Sequence, residues 1–125
     1  MPRETGVPPN EVKIVELQMT NETNKPLTVY VNRKLVDTLQ PNGFLSHDYW
    51  KTVDLERPDT RFIVQGYESS TPNAKRPSVT DVYIHCTEFW IGLETLGHVY
   101  QLPLTQNVVY LDGIYHESDG PCQQS

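Results

Sequence analysis

The chain has no hydrophobic run approaching the ~18 residues that a membrane-spanning helix needs. It has no surplus of positive charge either. Its 125 residues include 16 acidic and 10 basic side chains, a formal net charge of −6. That balance excludes a DNA- or RNA-binding module that works by neutralising phosphates. It has only two cysteines, Cys86 and Cys122, too few for the disulfide framework of a small secreted domain. They lack C-x-x-C spacing, which excludes zinc-ribbon and thioredoxin-type sites. No glycine-rich phosphate loop is present. Residues 1–6 carry no apolar segment of the secretory type, so synthesis in the cytoplasm is the expectation. No window shows a sustained 3.6-residue apolar stripe, which argues against long helices.

What is present points to short strands. Ten prolines are scattered along the chain, and apolar runs alternate with turn residues. The length suits one domain, large enough to bury a core without covalent staples. Pro2, Gly6, Pro8 and Pro9 make residues 1–10 an extended arm. Residues 118–125 read as a polar tail, leaving 11–117 as the domain.

Leu27, Val29 and Val31 alternate with Thr28, Tyr30 and Asn32, as a strand with two different faces requires. A tight connection at Arg33-Lys34 leads into a second strand over 35–39. Gln40-Pro41-Asn42-Gly43 is a turn, with proline presetting φ and Asn-Gly accepting positive φ. Strands are expected over 44–50, 61–67, 79–91 and 95–102, with Pro103 ending the last or marking it as an edge. Residues 68–78 form the longest loop. The apolar run 107–111 reads as a central strand. In 12–20, Val15, Leu17 and Met19 share one parity while Val12 and Ile14 take the other. That pattern predicts a bulged strand, with a two-turn helix as the alternative. About eight short strands at this spacing predict an all-β antiparallel sandwich, jelly-roll or immunoglobulin-like, with one wet face per sheet.

Candidate chemistry is sparse. All ten basic residues fall within 1–76, beside ten acidic ones, whereas 77–125 hold six acids and no Lys or Arg. Either strands from the two halves interleave, or an acidic face meets a basic partner. His85, His98 and His116 lie in the acidic half, but no ligand signature fits and no metal or other cofactor is expected. His47 and Asp48 are adjacent on a strand, so they point to opposite faces and cannot form the His–Asp contact of a triad. Cys86 shares parity with Val82 and Ile84. It reads as a buried, inert thiol, with Cys122 exposed. The competing possibility is a bridge pinning the tail to the sheet. Asn21-Glu22-Thr23 matches a glycosylation sequon, read as a chance match.

Aromatic residues are the most usable signal. Tyr30, Tyr83 and one or more of Tyr49, Trp50, Trp90 and Tyr100 fall on polar parity or near turns, where an exposed sheet face would present them to a partner, and Tyr30, Tyr49, Trp50, Tyr83 and Trp90 are taken as that set. With Pro8 and Pro9 of the arm, they are the expected interaction residues. The function expected is therefore non-enzymatic. The chain reads as a structural or interaction module, such as a decoration, head–tail or tail protein of a phage or virus particle. Its expected partners are other protein subunits, in a homo-oligomer or larger assembly. The runner-up is a carbohydrate-binding or lectin-like module that binds glycans through Tyr49, Trp50, Asn42 and Asp48.

Overall fold

The computed structural model describes residues 11–52, 59–69, 71–78, 80–108 and 122. The arm with Pro8 and Pro9, nearly all of the tail and the larger part of the expected strand 107–111 lie outside them. The described residues form seven strands: β1 (Glu11–Asn21), β2 (Leu27–Val31), β3 (Lys34–Leu39), β4 (Phe44–Thr52), β5 (Thr60–Glu68), β6 (Val82–Ile91) and β7 (Val99–Leu104). A 3-10 turn at Leu93–Thr95 joins β6 to β7. One sheet has the order β4-β1-β7 and the other β3-β2-β5-β6.

The two sheets share one apolar core in a sandwich-like packing. Leu17 and Met19 of β1 and Leu102 and Leu104 of β7 meet Val29 and Val31 of β2, Val64 of β5 and Ile84 of β6. Rings bridge the layers: Tyr49 of β4 packs edge-on to Phe62 of β5 at 5.5 Å. Phe89 of β6 stacks on Tyr100 of β7 at 4.2 Å.

Turn chemistry sets the register, but the β2–β3 connection falls at Asn32-Arg33, one residue before the expected Arg33-Lys34, because Lys34 already pairs with Val31. Asn32 and Arg33 both have positive φ (50° and 66°), the requirement of a type I′ hairpin. Asn42 takes φ 65°, and Gly43 N donates to Gln40 O at 2.7 Å, closing the Pro-Asn turn. A Cβ at Gly43 would lie 2.8 Å from that same carbonyl oxygen. The parity break in β1 is a bulge: the β1–β4 register shifts between Lys13 and Val15.

Two expectations about the sheets are corrected. β1 and β7 run parallel, with Glu16 opposite Val99 and Asn21 opposite Leu104, so the domain is not wholly antiparallel. The chain leaves β6 in the other sheet, crosses through 92–98 and enters beside β1 in the same direction, as a parallel pair requires. In immunoglobulin constant domains the first strand pairs with the second; here β1 pairs with β4 and β7. The second correction concerns the wet face. Every residue of β2 is buried, Thr28 and Tyr30 included, because the segment after β5 folds across the outer face of its sheet.

Candidate functional site

That covered face takes two of the five expected platform aromatics, Tyr30 and Tyr83. The Tyr30 hydroxyl donates to Ala74 O at 2.6 Å, and Asn73 exchanges hydrogen bonds with Thr38. Tyr67 meets Tyr30 edge-on at 5.7 Å and stacks on Tyr83 at 4.6 Å. Gln65 Nε2 donates to the Tyr83 hydroxyl. Burial, then the negative charge of Asp81, raises the Tyr30 phenol above its ordinary value. Tyr30 and Tyr83 are therefore interior residues, a correction to their expected exposure. Polar parity placed them on the outer face correctly, but a loop of the same chain occupies that face.

Tyr49 is also turned inward. Its register partner is Val15, and its buried hydroxyl has no hydrogen-bond partner among the described residues. Burial pushes the phenol up to about 12. Asp48 faces the opposite way and pairs with Lys13 at 3.4 Å. Asn42 lies in the turn before β4, on the order of 25 Å along an extended strand from Trp50. The structure thus does not bring Tyr49, Trp50, Asn42 and Asp48 together.

A second feature is the strap that follows β7. Asn107 reaches the outer edge of β6 and bonds one residue at both ends. Its Oδ1 accepts from Cys86 N, and its Nδ2 donates to Cys86 O, each at 2.9 Å. The Asn107 and Val108 amides both donate to Ile84 O. His85 is buried beneath this strap. Its Nδ1 lies 2.7 Å from Thr105 O, and its Nε2 lies 2.6 Å from Thr87 Oγ1. Nδ1 also lies 3.2 Å from Thr105 N, so the Thr105 peptide meets either neutral tautomer, its carbonyl accepting from a protonated Nδ1 or its amide donating to a bare one, with the Thr87 hydroxyl taking the complementary role at Nε2. Burial lowers the His85 pKa, and the Thr105 bond opposes that shift only in part.

Cys86 and Cys122 form a disulfide. The free, inert thiol is corrected to a bridge that anchors the chain end beside the strap. Local sequence could not show this, because the pairing depends on where residue 122 returns. The expected charge asymmetry dissolves in part, since Glu88 of the acidic half is ion-paired to Arg61. Asn21 of the sequon is fully buried. Its Nδ2 donates to Lys25 O and Leu39 O, and its Oδ1 accepts from Thr23. That amide is occupied as a structural clip.

Six large apolar side chains are exposed among the described residues, one of them Val82 at the start of β6. Trp90, Leu93 and Val99 flank the β6–β7 connection along the chain, Trp90 and Val99 on opposite outer faces because their neighbours Phe89 and Tyr100 stack in the core, while Phe44 and Trp50 lie on β4; each is more than half exposed. Trp50 and Trp90 are therefore where the sequence expects them. Leu93, Val99 and Phe44 were missed because a lone apolar residue near a turn carries no pattern. Among the described residues, no group of three or more His, Cys, Asp or Glu side chains could hold a metal ion. No helix there is long and apolar enough to cross a membrane. Comparison with known protein families, with curated proteins and with solved structures gives no match.

Proposed function

We propose that the chain is a non-enzymatic structural and interaction module, working as a self-assembling subunit of a larger protein assembly. The observation that carries this reading is the set of large apolar side chains left in water on either side of the β6–β7 connection. Trp90, Leu93 and Val99 stay exposed there although the same chain covers most of its other aromatic rings. Trp90 lies opposite Arg61 in the sheet register. An exposed tryptophan beside an arginine is the composition of an interface hot spot. A small domain gains nothing in stability by leaving such side chains in water.

Light scattering after gel filtration tests the proposal. The full chain is expected to run as a defined oligomer. The double variant Trp90→Ser/Leu93→Ser is expected to run as a smaller species while keeping the circular dichroism of the parent. A full chain that stays monomeric at hundreds of micromolar refutes it. So does a double variant with unchanged mass.

A further inference from the structure

Four strands are sheet edges: β4, β7, β3 and β6. An open edge is a template for another strand unless something blocks it. β7 contains Pro103, which cannot donate to a new ladder. β6 is capped by the Asn107 clip at Cys86. β3 has only six residues, and its pairing with β2 is irregular, shifting between Val29 and Tyr30. β4 differs from all three. It is nine residues long, FLSHDYWKT, with no proline, and the bulge in its ladder falls on β1. No strand among the described residues pairs with its outer side.

Its backbone groups can be assigned. Asn21 N donates to Gly43 O, and Asn42 N donates to Asn21 O, so Asn21 faces β4. Alternation makes Met19, Leu17 and Val15 do the same, while Glu16 N turns to His98 O beside β7. Leu45, His47 and Tyr49, opposite them, turn their peptide groups back to β1. Phe44, Ser46, Asp48 and Trp50 therefore turn theirs to the open edge.

The geometry points to antiparallel self-pairing of β4 about a two-fold axis at His47, joining two copies into one continuous six-stranded sheet. In that register every edge-facing residue meets an edge-facing residue. Phe44 of each copy lies opposite Trp50 of the other on the outer face, giving two aromatic cross-strand pairs. Ser46 lies opposite Asp48, so no carboxylate faces a carboxylate. Moving the axis one residue, to Asp48, sets Asp48 against Asp48 and breaks both aromatic pairs. The exposure of both Phe44 and Trp50 has a common account here, since each is the other's partner. The inference rests on the self-assembly reading, but it uses a different face from that of Trp90. A two-fold contact alone stops at a dimer, whereas two distinct contacts allow a larger assembly.

The test is a single cysteine on the axis. In His47→Cys the two thiols face each other in a non-hydrogen-bonded pair, about 4.5 Å apart at Cα, within disulfide reach. With oxidised glutathione, two protein thiols give one interchain disulfide and two reduced glutathione molecules. Cross-linking is expected at least tenfold faster than in Asp48→Cys, whose thiol lies opposite Ser46. Phe44→Ala, a change at an exposed site, is expected to weaken the dimer at least tenfold by light scattering. Equal cross-linking at both positions, or none at 47, overturns the pairing. So does an oligomer indifferent to Phe44→Ala; if its mass still falls in Trp90→Ser/Leu93→Ser, the assembly reading stands. A chain that is monomeric throughout removes both.

Discussion

Cutting the Cys86–Cys122 bridge should cost this domain a large part of its stability. The two residues are 36 apart in sequence. Closing a loop of that size removes about 13 cal/mol/K of entropy from the unfolded chain, which is about 4 kcal/mol at 25 °C in the chain-entropy account. A domain of this length unfolds with an entropy of roughly 260 cal/mol/K near its midpoint, so the midpoint should fall by roughly 15 °C. Cys122→Ser is the better perturbation, because Cys86 is buried and a serine there would add an unmet hydroxyl. The assay is equilibrium unfolding in urea of the parent, the parent with dithiothreitol, and Cys122→Ser. The reduced parent and the variant should agree. Both should show a steeper denaturant slope, since an unlinked unfolded chain exposes more surface. Hydrogen exchange adds a local readout. The Asn107 and Val108 amides, bonded to Ile84 O, should exchange faster once the chain end is untethered. If thiol titration finds no free sulfhydryl in the parent and reduction shifts stability by less than about 1 kcal/mol, the entropic reasoning is wrong for this chain.

Three further outcomes are expected. Asn21→Ala strips partners from the Lys25 and Leu39 carbonyls and from Thr23, and should cost about 2–4 kcal/mol in urea unfolding; intact mass from a glycosylating host should show no glycan at Asn21. His85 has a folded pKa below its ordinary 6.5, so at mildly acidic pH the unfolded state binds a proton that the folded state refuses. Its stability contribution is complete above that value and declines as pH falls below it, which unfolding midpoints at pH 7.5 and 5.5 can show, with NMR of the His85 ring reporting a neutral imidazole. Tyr49→Phe removes a buried hydroxyl without a partner among the described residues and should be neutral or stabilising by about 1 kcal/mol; ultraviolet titration of the parent should keep one phenol protonated to about pH 12.

Elements set by local chemistry were legible in the sequence, and elements set by where the chain returns were not. The β2–β3 hairpin and the Pro41-Asn42 turn were both legible, the hairpin turn being read one residue late because the positive φ begins at Asn32, which alternation had assigned to the strand. The β1 bulge was legible because a register slip leaves a parity break. Tyr30 shows the limit. Alternation assigned it to the outer face, and it is there, but its exposure depends on residue 74, forty-four positions later. The parallel β1–β7 pair and the Cys86–Cys122 bridge fail to show for the same reason. Two strands, or two thiols, carry no local mark of being neighbours.

The β4 segment divides along the same line. That Phe44 and Trp50 are equidistant from His47, with Ser46 and Asp48 balanced between them, is plain in the letters. The same symmetry would mean nothing in a central strand, where both sides already have partners. It acquires meaning from three other places: Pro103 interrupts the β7 edge, the Asn107 clip occupies the β6 edge at Ile84 and Cys86, and β3 is short and irregular. Among the described residues, β4 is then the longest proline-free edge with neither a clip nor a strand on its outer side, which is what the proposed strand addition needs. There, the side chains that must meet in a self-pairing are the ones that suit each other.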